Sequence, residues 1–144
     1  MKIAVSSDHA SFELKEKVKK HLESTGHEVT DFGCNSEESC DYPDYAAPAA
    51  RAVAAGDVDY GVIMCGSGQG ATMVANKIKG IRAALCRTID DVIGTREHNN
   101  ANVLTLGARI TDHTTALALV DTFLKTPFPG DERHQRRIDK VNRL

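Results

Sequence analysis

No charge of either sign dominates this chain: 18 Lys and Arg stand against 20 Asp and Glu, a formal net charge of −2. Such a balance gives no bulk attraction to nucleic acid or to anionic lipid. No apolar run approaches the roughly 18 residues of a membrane span. Met1-Lys2-Ile3-Ala4-Val5 leads straight into a strand pattern rather than a secretory leader. The expectation is a cytoplasmic protein with neither a nucleic-acid nor a membrane partner. Four cysteines, Cys34, Cys40, Cys65 and Cys86, include no Cys-x-x-Cys pair, and without a leader they do not read as a disulfide framework. Cys34, Cys40 and His27 fit no standard zinc spacing, so no metal is expected. Cys86 closes the largely apolar run Ile81-Arg82-Ala83-Ala84-Leu85 and reads as a small buried hydrophobe. Internal repeats and low-complexity segments are also missing. The 144 residues therefore read as a single domain, 1–144, of a size that buries about 68–70% of its unfolded surface.

What is present is alternation. Strand-like runs at Lys2–Ser7, Glu28–Phe32, Gly61–Met64, Arg82–Cys86 and Val103–Leu106 are separated by segments with helical spacing. The first such segment, Phe12–Ser24, places Phe12, Leu14, Val18 and Leu22 among lysines and glutamates and stops at Gly26. Asp41-Tyr42-Pro43 reads as a cap with proline early in an alanine-rich helix that runs to about Ala55. Thr88 caps a helix to about His98, with Asp90 and Asp91 in its acidic first turn. Helices at Thr114–Lys125 and Glu132–Asn142 follow, the last inside a charged tail, 131–144. Five short strands alternating with helices predict an α/β fold, a three-layer, doubly wound, Rossmann-like parallel sheet with right-handed crossovers. The order 2-1-3-4-5 suits five strands and puts the switch point, where ligands bind, between strands 1 and 3. The turns at Asp8-His9 and Cys65–Gly70 flank that point.

The second of these turns carries the most information. In Cys65-Gly66-Ser67-Gly68-Gln69-Gly70-Ala71, alternating glycines bend the backbone and expose its N–H groups. The helix that follows, to about Ile78, adds its own unpaired donors and the positive end of its dipole. Negative charge is favoured there, a thiolate on Cys65 included. Gly66-x-Gly68-x-x-Ala71 fits a relaxed dinucleotide fingerprint, but it follows the third strand, and Cys86 stands where a ribose-binding acid belongs. A Walker loop needs lysine after its last glycine, and a cysteine phosphatase loop needs arginine where Ala71 stands. A plain glycine turn beside a buried cysteine is the bland alternative.

Asp8-His9-Ala10, Asp41-Tyr42-Pro43, Cys65-Gly66-Ser67-Gly68-x-Gly70, Ala75-Asn76-Lys77, His98-Asn99-x-x-Asn102 and Arg133-His134-x-x-Arg137 span nearly the whole chain. In this order and spacing they resemble the type B ribose-5-phosphate isomerases, a family that includes galactose-6-phosphate and allose-6-phosphate isomerases. The resemblance implies a cofactor-independent aldose–ketose isomerase that moves a proton between C1 and C2 of a sugar phosphate through an enediolate. Cys65 matches the base, with the Ser67 hydroxyl in support. The turn Gly66, Ser67, Gly68, Gln69 and Gly70 matches the enediolate-binding amides, His98 the ring-opening acid, and Asn99, Asp8 and His9 substrate-binding positions. Arg109, Arg133, His134 and Arg137 match the phosphate grip, with the tail arginines reaching across from a partner in a homodimer or tetramer. Many members carry threonine where Ser67 stands. One branch replaces the cysteine by a glutamate aligned with Ala71; this chain has the cysteine and no acid there, which supports Cys65 as base.

The chemistry is coherent on its own terms. Isomerisation needs a base at the C–H, stabilisation of an oxyanion, and a grip on the distant phosphate that positions the reacting end. No metal or redox cofactor is required by that route. Each residue also has a plainer reading: Asp8 as a helix cap, His98 as a cation at a helix end, Arg109 as a surface charge, Asp41-Tyr42-Pro43 as nothing more than a helix start. Arg133 and Arg137, at i and i+4, share one helix face and are expected to clamp a dianion together. All these positions are expected at the carboxyl-end loops of the sheet. A six-carbon sugar phosphate as substrate and a non-catalytic phosphosugar- or nucleotide-binding module remain alternatives at this point.

Overall fold

Aliphatic strands buried along their whole length require cover on both faces. Three strands have that character in the computed structural model, which describes residues 1–144. They are β1 (Lys2–Ser7), β3 (Tyr60–Cys65) and β5 (Val103–Gly107), buried but for the first residue of β1 and of β3. β2 (Glu28–Asp31) and β4 (Ala83–Leu85) are shorter and only partly covered. They take the two edges. All four pairings are parallel and the order is β2-β1-β3-β5-β4.

The expected order 2-1-3-4-5 is thus corrected at one end, where β5 lies between β3 and β4. Burial explains the exchange. Val103-Leu104-Thr105-Leu106 is fully covered and pairs on both sides, with Gly61–Met64 and with Ala83–Leu85. Three half-buried residues, Ala83-Ala84-Leu85, suit an edge. The switch point between β1 and β3 is unaffected.

Side chains alternate across each strand, and the two faces have different covers. Ile3, Val5, Val62, Met64, Leu104 and Leu106 meet α1 (Phe12–Ser24), α4 (Ile89–Asn99) and α5 (His113–Lys125), through Leu14, Val18, Leu22, Val92, Leu119 and Phe123. Ala4, Ile63, Cys65 and Val103 meet α2 (Tyr42–Ala55) and α3 (Gln69–Asn76), which present mainly alanines. The Cys65 side chain therefore points toward the α2–α3 layer. α1 and α4 cover the moves toward β2 and back from β4, while α2 and α3 cover the opposite moves. A single crossover hand gives this division.

Helix starts follow local chemistry. Thr88 and Asp91 form a reciprocal capping box, and Asp112 accepts from the Thr115 N–H at 2.9 Å. Asp41 occupies the cap position of α2, but its side chain makes no capping bond, so Pro43 in the first turn is what marks that start. The last helix, α6 (Glu132–Asn142), buries only Ile138 and packs against α4 outside both cores. No helix is long and apolar enough to cross a membrane.

Candidate active site

β3 ends at Cys65, three residues turn the chain, and α3 begins at Gln69. Cys65 is 4% exposed, and its Sγ accepts from the Ala71 N–H at 3.4 Å. The N–H groups of Gly66, Ser67, Gly68 and Gly70 have no acceptor in the chain. A thiol thus sits beside a cluster of unspent donors and the amino end of a helix. Gly68 makes the turn possible: its φ is +79°, and a Cβ would stand 2.5 Å from Leu85 Cδ1 and 3.1 Å from the Leu106 carbonyl carbon. The turn is then tied to the loop after β5 by the Ala108 N–H to Cys65 O (3.2 Å) and the Arg109 N–H to Gly66 O (2.9 Å). Ser67 Oγ accepts from the Gln69 N–H at 3.2 Å.

A cleft of about 490 Å³ opens over this turn, with Cys65, Gly66, Ser67, Gly70, Asp8, His9 and Arg109 among its walls. Asp8 Oδ1 accepts from the Ser11 N–H at 3.2 Å, so the plain capping reading holds and the residue still faces the cleft. His9 Nδ1 accepts from the Cys40 N–H at 3.2 Å, which leaves Nε2 to carry the ring proton. Arg109 is exposed, and its Nη1 would lie 3.3 Å from a Cβ at Gly66. Gly68 and Gln69, named from the turn, do not line the cleft; Gly68 lies beneath it against β5. Tyr42, Met73 and Ile110 do line it and were missed. For Tyr42 a signal existed in Asp41-Tyr42-Pro43. Its ring lies on Gly70, where a Cβ would come within 2.6 Å of it.

The remaining expected residues are elsewhere, which corrects the placement of the whole set at the carboxyl ends. His98 and Asn99 end α4, which descends to the amino end of β5. Cys65 pairs with Gly107 and Gly61 with Val103, so roughly 13 Å of strand separates the two levels. His98, Asn99, His134 and Arg137 instead line a second depression of about 680 Å³ between β4, α4 and α6. There the His98 and His134 rings lie 4.8 Å apart. Arg133, four residues before Arg137 on α6, is not among the walls of that cavity, and its Nε lies 4.0 Å from Asp131.

Other titratable groups sort by environment. Burial, with Asp91 adding to it, pushes the Cys86 thiol up to about 12, as suits a core residue. Cys34 and Cys40 lie near Ser7 and His9 at the carboxyl end of β1, whereas His27 is bonded to the Met1 amine at 3.1 Å at the amino end of the sheet. No three His, Cys, Asp or Glu side chains gather into a metal-binding group.

A sequence model of the ribose/galactose isomerase family matches residues 3–141. The chain belongs to that family. Ribose-5-phosphate isomerase B of Escherichia coli is 41% identical over 143 residues, 99% of this chain and 95% of that one. Among solved structures, a ribose 5-phosphate isomerase of Thermotoga maritima is 50% identical with a TM-score of 0.96, covering 99% of this chain and 98% of that one. Ribose-5-phosphate isomerase B of Clostridium thermocellum is 44% identical with a TM-score of 0.97, covering 99% and 96%.

Proposed function

We propose that this protein interconverts ribose 5-phosphate and ribulose 5-phosphate, with Cys65 as the base. The observation that carries the reading is the buried Cys65 thiol at a cleft whose walls hold unspent backbone donors at Gly66, Ser67 and Gly70. The Cys65 thiolate removes the C2 proton of the open-chain aldose and returns it at C1, and a proton passes from O2 to O1. Charge that develops on the enediolate oxygens is held by the free N–H groups, each worth on the order of 3 kcal/mol in such holes. Asp8 and His9 bind sugar hydroxyls in the same cleft.

His98 and Asn99 are too far down the sheet to serve the Cys65 of their own chain. We infer that they reach the cleft of a second copy, with His134, Arg137 and Arg133, in a two-fold dimer. His98 then protonates the ring oxygen on opening, and the tail cations join Arg109 on the phosphate.

The test is a turnover screen over ribose 5-phosphate, allose 6-phosphate and galactose 6-phosphate, with a chelator control. Ribose 5-phosphate is expected to turn over fastest, and Cys65→Ala to lose solvent-proton exchange at C2 by about 10²–10⁴-fold while the fold survives. Unchanged turnover in that variant would remove the mechanism, and preference for a hexose phosphate would reassign the substrate.

A further inference from the structure

Arg82 stands just before β4, outside the Cys65 cleft and in none of the motif positions given a role above. Its guanidinium makes no ion pair. Instead Nε donates to Asn99 O at 3.1 Å and Asn100 O at 3.3 Å, Nη2 donates to Asn100 O at 2.9 Å, and Nη1 donates to Asn142 Oδ1 at 2.9 Å. Three of the four bonds end on two carbonyls at the end of α4, which carries His98 and Asn99. The fourth ends on the last residue of α6, which carries His134 and Arg137. One side chain thus bridges the two helices that bear the second group of site residues.

The neighbouring contacts make this bridge matter. Arg96, 3% exposed, holds the same turn from the other side through Asn100 Oδ1 (2.8 Å) and Ala101 O (2.7 Å), and ties it to α5 through Thr126 O (3.0 Å). Two guanidiniums share one helix end with no carboxylate between them. Burial, and for Arg82 also the charge of Arg96, holds both below the ordinary arginine value. The orphan carbonyls and negative dipole end of α4 compensate that cost. The turn is therefore held from two sides. α6 is not: one buried residue, Ile138, and the His98–His134 ring contact are otherwise its main attachments.

We propose that Arg82 is a positioning residue that sets α6 against the His98–Asn99 turn, so that ring-opening and phosphate-binding groups enter the neighbouring cleft in one fixed arrangement. The proposal rests on the isomerase reading for its catalytic meaning, but not for its structural content. A lysine at 82 keeps the charge and loses the fork, since a single ammonium cannot reach the Asn99–Asn100 carbonyls and Asn142 together. Asn142→Ala removes only the arm to α6, at an exposed position that the cores do not use.

Both variants of the full chain are to be compared with the parent by amide hydrogen exchange, by kcat and KM for ribose 5-phosphate, and by competitive inhibition with inorganic phosphate. Asn142→Ala is expected to speed exchange across α6 and to raise KM and the phosphate inhibition constant about tenfold with kcat little changed, the loss of one charge-assisted hydrogen bond. Arg82→Lys is expected to speed exchange at residues 98–101 as well and to lower kcat besides. A residue of merely structural use would lower the melting temperature without this division between the two variants, and that result would overturn the proposal. So would unchanged exchange in both, whatever the activity. If Arg82→Lys fails to fold, Asn142→Ala decides the matter alone. Faster exchange in a protein whose parent turns over none of the sugar phosphates upholds the bridge and sinks the isomerase reading instead.

Discussion

Gly70 has the Tyr42 ring lying on it, and a methyl group there would approach that ring to 2.6 Å. Gly70→Ala must push the ring off the turn, so it is expected to cost about 1–3 kcal/mol of stability and to lower kcat/KM at least tenfold by disturbing the donors beside Cys65. Tyr42→Ala in the same chain should return most of the stability, and no recovery in the double variant would show that the ring is not the obstacle. A second residue-scale prediction concerns Lys15, fully buried, with Nζ 2.6 Å from Asp31 and 2.9 Å from Glu16. Burial pushes the Asp31 carboxyl up, but bonds from Lys15 and the Gly33 N–H, with the Lys15 and Lys19 charges, hold it below its ordinary 3.8. Burial likewise pushes Lys15 down, and Asp31 and Glu16 more than reverse that, leaving it above 10.5. The Asp31 share of stability is thus present above pH 3.8 and lost as pH falls through its depressed value. The Lys15 share is present below pH 10.5 and lost as pH rises through its raised value. Asp31→Asn should cost roughly 3 kcal/mol at pH 7 by leaving the buried ammonium only the exposed Glu16 as its charged partner and should flatten the acid limb of the melting profile. Parallel acid limbs in the two proteins would refute this. Cys65 was legible in the sequence because a cysteine next to spaced glycines and a helix start has few uses. Tyr42 was not, since in Asp41-Tyr42-Pro43 the helix-start reading absorbs all three residues, and only the tertiary contact with Gly70 reveals the ring as a wall of the cleft.

At the scale of elements, α6 is the least attached part of the chain. Ile138 is 4% exposed yet belongs to neither core. Truncating a buried isoleucine ordinarily costs about 2–5 kcal/mol, and here that cost falls on the docking of one helix rather than on the sheet. Ile138→Ala is therefore expected to speed trypsin cleavage at Arg133, Arg136 and Arg137 about tenfold by local opening, with little change in the main melting transition. If the main transition falls as far as in a core truncation such as Leu104→Ala, α6 is part of the cooperative fold and the expectation is wrong. Most elements were readable from period and punctuation: Gly56 ends α2 in the left-handed region, and the Thr88–Asp91 box opens α4. The exchange of β4 and β5 was not read. The runs read as Arg82–Cys86 and Val103–Leu106 look alike as strands, and their order depends on which can stand exposure. That comparison, Ala83-Ala84-Leu85 against Val103-Leu104-Thr105-Leu106, was open to inspection in the sequence, but the common doubly wound order took precedence over it.

For the whole molecule, the motifs name candidate residues but not at which end of the sheet each one stands. Chain direction alone contained part of that answer. A helix that follows a parallel strand returns to the amino end, so His98 at the close of α4 had to lie below the level of Cys65. What direction cannot supply is the second copy proposed to bring the two ends together. That step is testable with two variants that are each expected to be inactive in pure form, Cys65→Ala and His98→Asn, co-expressed with different tags. In a shared-site dimer the mixed species holds one site with neither native group and one site with both, because the His98→Asn chain provides Cys65 and the Cys65→Ala chain provides His98. Random pairing makes half of the dimers mixed, so about a quarter of parental activity is expected from the mixture and about half from the purified mixed dimer. If Cys65 and His98 served one site within a single chain, every site in the mixture would lack one of them and no activity would return at any ratio. Pairing Cys65→Ala with Arg137→Ala extends the same logic to the phosphate grip. Recovery with His98→Asn but not with Arg137→Ala would leave ring opening shared and return the phosphate to residues of the Cys65 chain.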